Sequence, residues 1–346
     1  MFKKAGIFWA MLIAVSYLSA EDVKLNGCNG VTLSTDMPLN KNYGFYFNVG
    51  LIYEQMRVSN TMSAYKKVLG PTSGESASDP TNTYTMYNFP FQMDPGFKFL
   101  LGYEHGHDHW QVNALFEWLE STAALVQEVQ GTSAIKVPYD DDTEDYLKVK
   151  PTLDIDYYLL DVYLSRGSFI SKKYSLEPVA GFKATWLYNK TDTDFLGGNS
   201  LTSRQVKLYV SKVRFWGVGP MIGLNSNYYL SAGWSIFALS DFSILLGEST
   251  LEYYNGVTTV ETLPGDNRVM TTLQVLCPTM RGVLGLQYGK FVMCNSQHLA
   301  IRAGFDARVY FNQYPVANMS QNSNPLIIEN GSFGMTGLLL DLGWSF

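Results

Sequence analysis

Beyond its first twenty residues, this 346-residue chain has no apolar run of the length that a bilayer-spanning helix requires, about 20 residues. That excludes helical membrane insertion for the body of the chain. Basic charge is in short supply: 25 Lys and Arg against 31 Asp and Glu leave a net charge of -6. Nucleic acid is excluded as a partner, because surfaces that bind it are basic. Cysteine is scarce, and the three present (Cys28, Cys277 and Cys294) are an odd number for an oxidising compartment. Cys277 can pair with Cys294, leaving Cys28 free or available to another chain, and the sequence leaves this connectivity open. Leu25-Asn26-Gly27-Cys28 has only a loose likeness to a lipidation box. Glu21, Asp22 and Lys24 separate it from the apolar run, which excludes lipidation.

What the chain has in quantity is aromatic residues and glycine: 23 Tyr, 20 Phe, 7 Trp and 30 Gly. The mean hydropathy is nevertheless only -0.04. That combination suits a transmembrane β-barrel, in which only every second residue faces lipid. The N-terminus agrees with export. Lys3 and Lys4 precede the apolar run Ala5 to Val15, and Leu18-Ser19-Ala20 ends in a small residue. This is the pattern of a secretory signal peptide, so residues 1–20 are expected to be removed and 21–346 to form one barrel domain.

Two-residue periodicity recurs along the chain. One row reads Phe45, Phe47, Val49, Leu51, Tyr53, and another reads Phe97, Phe99, Leu101, Tyr103. Further rows lie in Trp110 to Trp118, Thr152 to Arg166, Tyr174 to Tyr188, Arg204 to Leu230, Trp234 to Leu246, Arg268 to Tyr288 and Leu299 to Phe311. The last strand alternates Leu338, Leu340, Leu342, Trp344, Phe346 with Gly337, Leu339, Asp341, Gly343, Ser345. One row can meet lipid while the other meets a hydrated interior. Short turns near Gly106, Gly167, Gly233 and Lys290 alternate with long polar stretches: Val58 to Asn88, Glu120 to Lys150, Asn189 to Ser203, Glu248 to Asn267 and Tyr314 to Gly331. The pattern predicts an all-β fold, a transmembrane antiparallel barrel of roughly ten strands with short periplasmic turns and long extracellular loops. A turn at Gly219-Pro220 would raise the count to 12 or more. The apolar phase of Trp216, Val218, Ile222, Leu224 and Tyr228 continues across Pro220, which favours one long strand.

The aromatic ending resembles the C-terminal strand of bacterial outer-membrane barrels, in which a terminal Phe belongs to the insertion signal. On that resemblance Phe346 is the insertion signal and the barrel-assembly machinery a partner. The stretch Phe215-Trp216-Gly217-Val218-Gly219-Pro220-Met221-Ile222-Gly223-Leu224-Asn225-Ser226, with Ile244-Leu245-Leu246-Gly247, resembles the major outer membrane protein family of Legionella, which also occurs in chlamydia-like bacteria. Gly102-Tyr103 through Trp110, Tyr158 to Val162, Met280 to Tyr288 and Ala303 to Asn312 fit the same family. The likeness covers most of the chain from about Phe91 onward. It implies a porin-like or structural surface protein of the cell outer membrane, exported by a Sec-type route, with attachment to a host-cell surface through its long loops as the alternative role. It supplies no catalytic residues.

Clusters that suggest other chemistry are better explained as barrel features. His105-Gly106-His107-Asp108-His109 has ligand types for zinc, copper or nickel, but Gly106 and Asp108 are turn formers and Trp110 an interface anchor, so no metal site is expected. The acidic run Asp140 to Asp145 lacks the glycine at its sixth position that an EF-hand loop needs. Gly217, Gly219 and Gly223 have the wrong spacing for a nucleotide loop; at period two they share the interior face, where they would admit side chains from across the lumen. Asp154 and Asp156 are spaced like the acidic pair of omptin proteases, but no His follows two residues after an Asp on a later loop. The expectation is therefore no enzyme and no cofactor.

Charges of both signs fall on the interior rows: Lys98, Glu117, Asp161, Lys183, Asp241, Arg281, Arg302, Asp306, Arg308 and Asp341. They are the expected lumen-facing, pore-lining residues. A barrel of about ten strands lies nearer the filled than the open limit, which allows a narrow pore at most. Expected partners are outer-membrane lipid, small solutes or ions, and further copies of the chain as a homo-oligomer.

Overall fold

The computed structural model describes residues 43–59, 62–68, 83–105, 110–128, 133–136, 146–197, 205–231, 233–259, 267–292, 297–318 and 327–345. Its strands are β1 (Tyr43–Val58), β2 (Met62–Val68), β3 (Thr83–Asn88), β4 (Met93–His105), β5 (Trp110–Ala124), β6 (Gln127–Glu128), β7 (Ser133–Lys136) and β8 (Lys148–Arg166). They continue as β9 (Ser168–Ser171), β10 (Tyr174–Leu196), β11 (Gln205–Tyr229), β12 (Trp234–Thr259), β13 (Asn267–Val292), β14 (Gln297–Asn318) and β15 (Ile327–Ser345).

Ten of these close into an antiparallel barrel. Around the ring the order is β1, β4, β5, β8, β10, β11, β12, β13, β14, β15, and β15 pairs back onto β1 from Tyr46↔Ser345 to Val58↔Phe333. The ring is thereby closed without an open edge, which is what lipid requires of a sheet. Short connections lie at the end shared by His105, Arg166, Tyr229 and Val292, and longer ones at the opposite end. By the rule for outer-membrane barrels, the short end is periplasmic.

The outward rows are apolar: Phe45, Leu101, Val112, Phe182, Ile222, Leu284 and Leu338 are all exposed. A continuous aromatic row then crosses the strands, Phe97↔Trp118↔Tyr158↔Trp186↔Trp216. Trp110, and Trp234 packed 5.1 Å from Tyr288, mark the periplasmic side. Such girdles place amphipathic rings at the two lipid–water boundaries.

The structure departs from the sequence-based expectation beyond the aromatic row. A tilted strand needs about 9–11 residues to span the membrane, yet β12 and β13 each have 26. Most of the expected loops Asn189 to Ser203, Glu248 to Asn267 and Tyr314 to Gly331 are strand, continuing the barrel beyond the bilayer. The lipid-facing period ends at the membrane boundary, but ladder pairing does not. The expected loops Val58 to Asn88 and Glu120 to Lys150 contribute a separate three-stranded sheet, in which β2 pairs with both β3 and β7.

At Gly219-Pro220 the β11–β12 ladder skips from Val218↔Leu246 to Met221↔Ser243 and resumes in the same register. Proline lacks the N–H that the ladder needs, so the strand passes through without turning. The glycines here serve a different purpose from the one expected. A Cβ on Gly219 would lie 1.9 Å from the Ile244 carbonyl oxygen, and one on Gly223 2.7 Å from that of Ser240. They admit the backbone of the adjacent strand β12, not side chains from across the lumen. Residues 1–20, Cys28, His107, Asp108, His109, Asp140 to Asp145, Cys294 and Phe346 lie outside the described residues.

Candidate functional site: the ion-pair network of the lumen

Side chains alternate along every strand, so a charged residue one position from a lipid-facing aromatic points inward. Glu117, between Phe116 and Trp118 on β5, does so and is fully buried. On the opposite wall, Arg281 (β13) and Arg308 (β14) stand directly across from each other in their ladder. Like charges placed so would repel, and three carboxylates offset this. Arg281 donates through Nη2 to Glu117 Oε1 at 2.8 Å and to Asp306 Oδ2 at 2.5 Å, and through Nε to Asp306 Oδ2 at 3.1 Å. Arg308 donates to Glu117 Oε2, to Asp306 Oδ2 at 2.7 Å and to Glu54 Oε1 at 3.1 Å. Its Nη1 also donates to the Tyr157 hydroxyl at 3.2 Å, with the guanidinium 5.7 Å over that ring. Tyr157 and Tyr310, again on opposite walls, share a hydrogen bond of 2.6 Å. The network crosses the lumen from wall to wall.

Two smaller clusters share the interior. Lys183 pairs with Asp241 and lies 3.9 Å from Asp161. Lys98 donates to Asp341 Oδ2 at 3.0 Å. Gly50 is opposite Asp341 in the β1–β15 ladder, and a Cβ there would fall 2.0 Å from Asp341 Oδ1, so glycine makes room for this carboxylate. Arg302 stands apart from the other arginines: it donates to Gln287 Oε1 at 2.7 Å and lies 5.8 Å over the Phe237 ring. All ten interior residues named from the sequence thus project inward, but they form separate clusters. Glu54 and Tyr157 were missed. Their parity, opposite to the outward residues Tyr53 and Tyr158, was the available signal.

Buried ion pairs add little net stability, because desolvation cancels most of their attraction, but removal of one partner leaves an uncompensated charge. Their effect here is geometric: they tie β1, β5, β8, β13 and β14 together through the barrel centre. Apolar packing completes the filling, with Ile52 of β1, Leu119 of β5, Leu159 of β8, Phe215 of β11, Leu245 of β12 and Leu339 of β15 all buried.

Other candidates are placed elsewhere. Asp154 and Asp156 share the outward row of Tyr158 and Leu160 on β8, so this pair does not face a cleft inside the barrel. Cys277 is a buried free thiol. From it β13 runs on to Val292, about 50 Å away at the usual rise per residue, which removes a pairing with Cys294. Among the described residues no group of His, Cys, Asp and Glu is arranged to hold a metal ion. Beyond the membrane, a hydrogen bond from Lys148 holds the Glu128 carboxyl below its ordinary value, and a bond to Asp192 raises Lys190.

Comparison with solved structures finds the outer membrane protease OmpT from Escherichia coli at 10% identity, covering 88% of this chain and 96% of that one, with a TM-score of 0.47. A Pseudomonas aeruginosa FadL homologue (8% identity, 88% and 90% covered, TM-score 0.22) and the Pseudomonas putida toluene transporter TodX (7%, 88% and 89%, 0.19) are also similar. No curated protein matches the chain by sequence. The profile of the Legionella pneumophila major outer membrane protein precursor matches residues 37–346. The chain therefore belongs to the Legionella pneumophila major outer membrane protein family and is an outer-membrane β-barrel.

Proposed function

We propose that the protein is a structural surface protein, a closed-lumen barrel that carries an extended extracellular end. One observation carries this reading. Fully buried Glu117 bonds Arg281 and Arg308 from the opposite wall, so charged side chains occupy the lumen where a conducting pore would have to run. A porin-like role requires a water-filled path, and ten-strand barrels are near the size at which side chains fill the interior. The reading assigns no catalysis and no cofactor to the chain. A second reading, interaction with a host-cell surface, draws support from the β2–β3–β7 sheet, which is built from the first two extracellular connections. Planar-bilayer recording tests the first reading. The refolded barrel should give no steady current, whereas Glu117→Ala together with Arg308→Ala should produce leak. A steady current through the unaltered protein would overturn closure and restore the porin-like role.

A further inference from the structure

The two ends of the barrel differ in the charge they present outward. At the extracellular end the signs are mixed: Lys212 is directly opposite Glu252, and Arg214 shares a row with Glu120 and Asp156. At the periplasmic end Arg166, Lys172, Lys173 and Lys290 are exposed, and no described carboxylate joins them on the outer surface. The two described acids at this end, Glu104 and Glu177, face the interior. Glu104 accepts a hydrogen bond from Gln111 at 3.4 Å, and Glu177 shares the inner face of β10 with buried Ser175 and Val179. The one acid in the short turns, Asp108, lies outside the described residues.

Three of the four cations belong to one projecting hairpin. Arg166 is opposite Trp110, the first residue of β5, and this is the last rung between β8 and β5. Beyond Gly167 the chain continues as β9, which pairs with β10 through Ser168↔Leu176, Phe169↔Ser175 and Ser171↔Tyr174. The β9–β10 hairpin therefore extends past the end of β5, with Lys172 and Lys173 at its tip. Phe169 turns inward, its ring 5.9 Å from that of buried Tyr229. Ile170, next in the alternation, turns outward and is 63% exposed. Arg166 lies 5.8 Å over the Trp110 ring, and among the described residues no carboxylate pairs with Arg166, Lys172 or Lys173.

The position of this hairpin limits what can meet it. Trp110 marks the periplasmic lipid boundary, and an arginine there lays its stem on apolar surface while its head reaches the headgroups. Basic side chains around an exposed apolar residue fit an anionic membrane surface, which attracts the charges and takes up the apolar group. The periplasmic leaflet of an outer membrane consists of phospholipid. We infer that the β9–β10 hairpin and Arg166 bind anionic phospholipid of that leaflet. Arg166, Lys172 and Lys173 hold the phosphate, and Ile170 and Trp110 meet the acyl chains. A soluble polyanion fits less well, because Arg166 is held by Trp110 at the lipid boundary. The site requires only that the short connections be periplasmic and is independent of whether the lumen conducts.

The test uses the purified barrel in a non-ionic detergent, with bound lipid counted by native mass spectrometry. The probes are phosphatidylglycerol, phosphatidylcholine with the same acyl chains, and glycerol phosphate. Phosphatidylglycerol should bind about tenfold or more tightly than phosphatidylcholine, as expected for several basic side chains at an anionic headgroup. That preference should shrink as salt is added. Arg166→Gln with Lys172→Gln and Lys173→Gln should abolish it, whereas Lys212→Gln with Arg214→Gln, at the extracellular end, should leave it unchanged. If the triple variant fails to refold, Lys172→Gln with Lys173→Gln in the exposed turn should still lower the preference several-fold, while Arg166→Lys should retain most of it. Equal binding of the two lipids by the unaltered barrel would overturn the site, and so would an undiminished preference in the hairpin variants. Glycerol phosphate that binds as tightly as the lipid would reveal a site for soluble anions and overturn the proposal as well.

Discussion

Along β5, β8, β10 and β11 the barrel has two regions with opposite polarity. Below the aromatic row, Phe116, Leu160, Phe182 and Val218 face outward while Glu117, Asp161 and Lys183 face the interior. Above it, Glu120, Asp156, Lys190 and Arg214 face outward while Leu153, Ile155, Leu187 and Val213 are buried inside. The strands are continuous and the hydrogen bonding is the same in both. What changes is the solvent outside, from lipid to water, and the interior composition inverts with it. In the membrane much of the apolar surface faces lipid, and ion pairs close the interior together with buried Leu159, Val283 and Leu339. Above the membrane the barrel is an ordinary water-soluble sheet with an apolar core, and that core lets the strands extend so far beyond the bilayer.

The sharpest way to break this comparison is to remove the centre of the lower interior. Glu117→Ala leaves Arg281 and Arg308 buried without their shared carboxylate, and should cost about 3–5 kcal/mol in urea unfolding from lipid vesicles. Replacing Glu54, Glu117, Arg281, Asp306 and Arg308 together by apolar residues of similar volume should recover most of that loss, because a complete buried ion-pair network is roughly exchangeable for hydrophobic packing. If this fivefold variant is as unstable as the single one, the lower interior needs its charges for a reason other than mutual compensation.

How much of this was legible in the sequence follows the same division. Below the row, period-two alternation against lipid is strict, so strand identity, the ten-strand closure and the inward projection of Lys98, Asp306 and Asp341 could be read directly. The passage of β11 through Pro220 was legible too, since Val218 and Ile222 keep their phase. Above the row the outward residues are polar, and polar stretches rich in Ser, Thr and Asn look like loops. The extensions of β10, β12 and β14 were therefore read as connections. Which charges meet across the lumen was not legible either. It depends on ring closure and strand tilt, which bring Glu117 to Arg281 over 164 residues of sequence.

The outer surface offers a comparison of intermediate size. Phe242 projects into lipid from the middle of the β12 row, and Phe242→Arg should cost about 2–4 kcal/mol. Val210 projects outward above the row, opposite Asp192 on β10. Val210→Arg should change stability by no more than about 0.5 kcal/mol, as expected for a surface site in water. Equal penalties at the two positions, measured by urea unfolding in vesicles, would mean that the aromatic row does not mark the lipid boundary.

The smallest expected effect is also the one that reads the upper outward face most directly. Partial burial, then the neighbouring carboxylates Glu120 and Asp154, hold the Asp156 carboxyl above its ordinary value. An acid raised in the folded state is destabilising when ionised, so its penalty is fully present at neutral pH. The penalty fades as pH falls through the folded value toward the ordinary carboxylate range. The unaltered barrel should therefore gain a little stability between neutral and mildly acid pH, before other carboxylates are protonated. Asp156→Asn should be more stable than the unaltered protein at neutral pH, by no more than about 0.5 kcal/mol given the solvent screening at this site. It should also lack that part of the acid gain. Urea unfolding of both proteins across this pH range at low salt decides the matter. A variant less stable at neutral pH would show that Asp156 has a cationic partner, and that Glu120, Asp154 and Asp156 are not a crowded, like-charged group.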